Sequence, residues 1–272
     1  LSNFLNPKFI FNLSLIVENQ YLNEEYKKTK KTLKKFKKED YIYYWYRIKK
    51  EAQIISKQRN KKESLNYITA ESNKINEPND KMIFDIANFY KNSKKYKEAI
   101  KYYTKLINSY NDSSEIKSDL LYRRGGSYER LGKYENADKD LIYALKINPD
   151  DAYTLNYLAY SWLERDYKIN EAIEMLEKAY SFKSNDPYII DSIGWAYYLV
   201  DDYLKAEKFL KRAVELMPDD PIVNDHYGDI LWKLDRKIQA RYFWSNVLKM
   251  EEADVEIIEN INLKLIEGLK NS

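Results

Sequence analysis

The sequence predicts an all-α chain built from repeated helix pairs. Three observations predict it. Six glycines and six prolines in 272 residues are too few for the tight turns of an all-β or a fibrous protein. Apolar residues make up 44%, enough for a sizeable core and too many for a disordered chain. Alanine recurs in matching contexts at Ala99, Ala137, Ala172, Ala206 and Ala240, at intervals of 38, 35, 34 and 34 residues. That is the self-similarity of a helical repeat array.

In chain order, Pro7 stands where a proline would close a second helix, so residues 1–9 read as the end of a preceding repeat. Leu1 to Asn6 would be the last turn of that helix, and the chain is expected to begin inside a repeat. Counting back from Ala99 reaches Ser64 and Thr29, both small, so residues 10–117 read as degenerate, basic repeats. Residues 118–254 read as well-formed repeats, about seven units in all. A small residue recurs in each first helix at Ala52, Ala87, Gly125, Ala159, Gly194 and Gly228, where two helices must approach closely. Three residues on stand Ile55, Tyr90, Tyr128, Trp162, Tyr197 and Leu231, large side chains expected to fill the space between helices. Tyr96, Tyr134 and Tyr203 are expected to pack where second helices begin. Tyr103, Leu141, Leu176, Leu210 and Trp244 follow the marker alanines by four, on the same helical face. Pro149 and Pro218 mark second-helix ends. Residues 255–272 predict a capping helix with the stripe Ile258, Ile261, Leu265 and Leu269, and with Glu256, Glu259, Lys264 and Glu267 outside.

These features are carried most clearly by Asp119 to Ala137, with Arg124-Gly125-Gly126-Ser127-Tyr128, and by Tyr188 to Ala206, with Ile193-Gly194-Trp195-Ala196-Tyr197. The chain resembles tetratricopeptide repeat (TPR) proteins, whose unit is a helix–turn–helix of 34 residues. The resemblance implies a right-handed superhelical solenoid. Residues 186–250 look like the C-terminal repeats of Gram-negative envelope-associated TPR proteins, some of them lipoprotein adaptors. That likeness implies a periplasmic or envelope location, with the cytoplasm as the alternative.

Chemistry is sparse. With no cysteine and one histidine, there is no thiolate site and no set of imidazole ligands for a metal. His226 reads as an ordinary packing or surface histidine. Gly125-Gly126 lacks the phosphate-loop pattern. No catalytic constellation, cofactor or metal site is expected. Net charge is only +3, yet residues 1–113 carry 24 Lys+Arg against 13 Asp+Glu, and the remainder 22 against 30. Lys27 to Lys38 holds eight lysines in twelve residues, but Thr29, Leu33 and Phe36 keep an apolar stripe between them. The run therefore reads as a solvated helix face, with nucleic-acid or anionic-membrane binding as the alternative.

The resemblance implies that first helices line a concave groove, reached from positions two, five, nine, twelve and thirteen of each repeat. These positions hold Tyr122 and Glu129; Tyr153, Asn156 and Tyr160; Tyr188, Asp191, Trp195 and Tyr198; and Asp225, Asp229 and Trp232. Aromatics interleaved with carboxylates suit a peptide or protein partner with apolar and basic residues. The expected function is a non-catalytic interaction scaffold. Glycan stacking in the same groove is a further alternative. The two-carboxylate clamp of chaperone-binding TPR domains is not expected, since its positions hold Lys49/Gln53, Phe84/Asn88 and Tyr122/Gly126. Nucleic acid is not the favoured partner, and membrane attachment would need a segment outside this chain.

Overall fold

The computed structural model describes residues 7–36, 41–75 and 77–269. Leu1 to Asn6, the expected end of an earlier repeat, and Lys37 and Lys38 of the lysine run lie outside these. The described residues form fifteen helices and no strand: α1 (Pro7–Leu22), α2 (Tyr26–Leu33), α3 (Tyr41–Gln58), α4 (Lys61–Ser72), α5 (Asp80–Asn92), α6 (Tyr96–Ile107), α7 (Glu115–Glu129), α8 (Tyr134–Ile147), α9 (Ala152–Leu163), α10 (Ile169–Phe182), α11 (Pro187–Leu199), α12 (Tyr203–Leu216), α13 (Pro221–Lys233), α14 (Lys237–Val247) and α15 (Val255–Glu267). They group into seven pairs and a final helix, in two compact units. One comprises residues 1–111 with the turn 130–133, the other residues 112–129 and 134–272.

Each pair closes through the predicted contact. The marker positions Thr29, Ser64, Ala99, Ala137, Ala172, Ala206 and Ala240 are all buried, six of them with no exposed surface. Opposite them, a Cβ on Gly125 would lie 3.0 Å from Leu141 Cγ, and one on Gly194 would lie 2.8 Å from Leu210 Cδ2. At Gly228 it would overlap Trp244 Cδ1 and Nε1. Tyr103, Leu141, Leu176, Leu210 and Trp244 are fully buried, each contributing about 1.5–3 kcal/mol of apolar burial. Ser64, in place of the alanine, satisfies its hydroxyl by donating to the Ala52 carbonyl at 2.6 Å.

The turns within pairs repeat as well. Glu24, Lys94, Gly132, Asp201 and Asp235 all sit between paired helices with φ between 57° and 68°, the left-handed conformation that only glycine adopts without strain. In the first unit, Ile10, Leu13, Val17, Leu33, Phe36 and Ile54 form one cluster, and Trp45, Ile48, Ala52, Leu65, Ile68 and Met82 a second. Two expectations need correcting here. Ile55 is only half-buried, and its neighbour Ile54 is fully buried instead, because Ile54 faces α1 and α2. Tyr134 is 41% exposed and lies beneath the Arg165 guanidinium, 4.7 Å from its ring, rather than in the core.

In the second unit the first helices α7, α9, α11 and α13 adjoin one another in order, and α15 packs on α13 and α14. Asp254 caps α15 by accepting from the Ile257 N–H at 3.1 Å. Ile261 is fully buried there, as the predicted stripe requires.

Candidate functional site

The first-helix face of the C-terminal unit is set by three caps of one design. Asp151, Asp186 and Asp220 accept from the N–H groups of Tyr153 (3.2 Å), Tyr188 (3.1 Å) and Ile222 (2.9 Å). Each cap satisfies an amide that the helix leaves without a partner. Pro187 and Pro221 pre-set the first turns of α11 and α13. The second residue after each cap then projects outward: Tyr153 is 49% exposed, Tyr188 60% and Ile222 43%. They form a row at one position of three successive repeats. Ile222 belongs to it although it is not aromatic; the repeat register alone identifies it. The cap carboxylates, with Asp150 and Asp219, give the row an acidic edge.

Inward from the row lies a ring stack. Trp195 stacks on Tyr198 (centroids 4.6 Å, 8° between planes) and on His226 (4.2 Å, 11°). The Tyr160 ring approaches His226 from α9, at 6.5 Å. His226, 6% exposed, has its Nδ1 2.9 Å from Asp191 Oδ2 and 3.1 Å from Oδ1. Burial opposes its charge, but the Asp191 carboxylate, with Asp225 and Asp229 beyond, holds its pKa above the ordinary histidine value. Burial likewise raises the Tyr198 phenol, with Asp229 adding to it. Asn156 is half-buried between Tyr153 and Tyr160 in sequence, and its Oδ1 is buried without a hydrogen-bond donor among the described residues.

The carboxylates expected on the groove face inward instead. Asp225 and Asp229, one turn apart on α13, both accept from Lys264 Nζ of α15, at 2.6 Å and 2.8 Å. Trp244 Nε1 also donates to Asp229 Oδ1, at 3.0 Å. Lys264, expected outside the capping helix, is therefore turned in, its side chain only 11% exposed. The reason is electrostatic: two carboxylates this close and this buried need a cation. Even so, burial and the neighbouring Asp225 charge outweigh Lys264 and push the Asp229 carboxyl up to about 7. Trp232 lies against Trp244 (5.3 Å) and beneath Arg241 (4.8 Å). It also covers Gly268, where a side chain could not fit. Of the twelve expected groove residues, Asp191, Asp225, Asp229 and Trp232 are thus engaged by the chain itself, as are Trp195, Tyr198 and Tyr160 in the ring stack.

At α7, Tyr122 meets Tyr157 edge-on at 5.7 Å, and the Tyr157 hydroxyl donates to Glu129 Oε2 at 3.0 Å. Tyr157 lies off the expected groove positions and was not part of the sequence expectation. In the other unit, Thr29, Leu33 and Phe36 are buried while Lys27, Lys28, Lys31, Lys34 and Lys35 are exposed, the solvated face the spacing predicts. Lys28 pairs with Glu25 at 2.6 Å, and Lys30 donates to Gln58 at 3.0 Å. Among the described residues there is no cluster of three or more metal-ligating side chains and no helix long and apolar enough to cross a membrane.

Comparison with known proteins agrees with this architecture. The tetratricopeptide repeat family model matches residues 80–113, 118–151 and 189–220. A TPR repeat-containing protein of Pseudomonas aeruginosa is 33% identical over 111 residues, which is 41% of this chain and 19% of that protein. The lipoprotein NlpI homolog of Haemophilus influenzae is 28% identical over 148 residues, 54% of this chain and 42% of that one. The chain thus spans less than half the length of either relative. A solved tetratricopeptide repeat protein from Parabacteroides merdae superposes with a TM-score of 0.72 at 16% identity, covering 94% of this chain and 98% of that chain. The helix pairs, the small-residue contacts and these matches agree: the chain carries tetratricopeptide repeats at residues 80–113, 118–151 and 189–220, and its fold is that of a tetratricopeptide repeat array.

Proposed function

We propose that the chain is a non-catalytic interaction scaffold that holds a peptide or protein partner on the first-helix face of its C-terminal unit. Tetratricopeptide repeats serve generally as protein–protein interaction scaffolds. The observation that carries the finer reading is the row Tyr153, Tyr188 and Ile222, exposed at one position of three consecutive repeats. Their amides are held by caps, so their side chains present apolar area that the core does not use. The acidic edge favours a partner carrying Lys or Arg beside apolar side chains. The Trp195–Tyr198–His226 stack is the wall behind this surface rather than its leading contact, because its rings already cover one another.

The test compares affinity capture by the full chain and by a Tyr153→Ala/Tyr188→Ala variant, with identification of what elutes. Loss of specific partners from the variant, at unchanged helicity, supports the row. Identical capture by both proteins overturns it.

A further inference from the structure

The N-terminal unit holds a cavity that the sequence does not announce. It opens between α1, α3 and α5, the first helices of the three N-terminal pairs, with a volume of about 390 Å³. That is within the range of sites that enclose a small group. Trp45 and Met82, 3% and 1% exposed, form its floor. Tyr43 and Tyr46 form a wall, fixed by stacking of Tyr43 on Phe36 at 6.3 Å and an edge contact of Tyr46 with the same ring at 5.5 Å. The interior is thus apolar and braced by buried side chains.

Its electrostatics are unequal. The carboxylates of Asp85 and Glu18 are already paired with lysines, and Asp80, beside Lys81, accepts from the Tyr110 hydroxyl at 2.8 Å. Asp85 Oδ2 accepts from Trp45 Nε1 at 2.9 Å and pairs with Lys49 at 2.8 Å. Glu18 accepts from the Tyr46 hydroxyl at 2.7 Å and pairs with Lys50 at 2.8 Å. Lys81, on the rim, is exposed and has no ion pair among the described residues. The segment around it carries 24 Lys+Arg against 13 Asp+Glu over residues 1–113, so a cationic ligand is repelled and an anionic one attracted. We infer that this cavity receives an apolar side chain of an acidic peptide segment, whose adjacent carboxylate pairs with Lys81. This is a second binding site, distinct in chemistry from the acidic-edged row of the other unit.

The probes are acetyl-Gly-Phe-Glu-Gly-amide and its Gln counterpart, each with 4-fluorophenylalanine as the aromatic residue. Both are titrated with the full chain and followed by fluorine NMR. The expected result is saturable binding of the acidic peptide, weakened by about three- to fivefold in Lys81→Gln, the value of one exposed ion pair. The Gln peptide should bind the weaker and be indifferent to Lys81→Gln. Ser14→Leu, which places bulk at the cavity mouth, should abolish binding of both. Lys81→Gln lies at an exposed position and keeps the test decisive should Ser14→Leu disturb α1. Absence of saturable binding, equal binding of the two peptides, or unchanged binding in both variants would overturn the assignment.

Discussion

Replacing Gly228 with alanine adds one methyl group, and its consequence can be worked from the surroundings. The new Cβ would overlap Trp244 Cδ1 and Nε1. Trp244 is fully buried, its Nε1 is committed to Asp229 at 3.0 Å, and Trp232 lies on it at 5.3 Å. The indole therefore has no direction of retreat that preserves its contacts. Overpacking of this kind costs about 1–3 kcal/mol, and a buried hydrogen bond left unmade costs about 1–3 kcal/mol. The better helix propensity of alanine returns about 0.5–1 kcal/mol. A net loss of about 3 kcal/mol follows, or roughly 6–12 °C in Tm for a unit of this size. Gly126→Ala is the control. There the Cβ meets the outer end of the Tyr157 ring, its hydroxyl at 3.2 Å and Cζ at 3.4 Å, a half-buried side chain that can yield, so stability should stay level or rise by up to ~1 kcal/mol. Urea unfolding followed by circular dichroism measures both. The reasoning fails if Gly228→Ala lies within about 0.5 kcal/mol of the parent, or if the two variants lose equal stability.

Other outcomes follow from the same geometry. His226 and Asp229 both bind protons more tightly folded than unfolded, so their contribution is full at low pH and is lost as pH rises. For Asp229 stability should fall between about pH 4 and 7, by up to about 1.4 kcal/mol per pH unit, and His226 adds a fall that begins above its ordinary value of 6.5. Denaturation midpoints across that window, flattened in His226→Gln/Asp229→Asn, would check it. Asp254→Ala removes the cap on α15 and should cost about 1 kcal/mol, with faster amide exchange in residues 255–267 as the readout. Lys94→Gly relieves a left-handed φ of 57° and should stabilise by about 0.5–1 kcal/mol, measured by thermal melting. Tyr153→Ala/Tyr188→Ala, at exposed positions, should shift stability by under about 0.5 kcal/mol per site, which chemical denaturation would show.

The helix pairs were legible because their determinants are local. A small residue on one helix and a large one four past the marker alanine lie within a single repeat, so Gly194 and Leu210 can be paired by spacing alone. Thr29 and Ser64 were legible for the same reason, despite neither being alanine. Lys264 was not. Its helical position borders the apolar stripe, and only the carboxylates of Asp225 and Asp229, 39 and 35 residues earlier, decide that it turns inward. His226 is a similar case, since Asp191 comes from the preceding repeat. The row was half legible: register places Tyr153, Tyr188 and Ile222 together, but a search for aromatics passes over isoleucine. The cavity beside Lys81 was invisible because its lining comes from three helices, α1, α3 and α5, and spacing within one repeat does not set the gap between them.

The three aspartate caps carry a consequence for how this surface can vary. At Tyr153, Tyr188 and Ile222 the cap binds main-chain N–H, which every residue except proline possesses. The side chain itself is not required by the fold. Each of these positions is therefore an interchangeable letter in a fixed frame, where nineteen amino acids can be written without redrafting the helix beneath. Partner choice can drift there, one repeat at a time, while the architecture stays still.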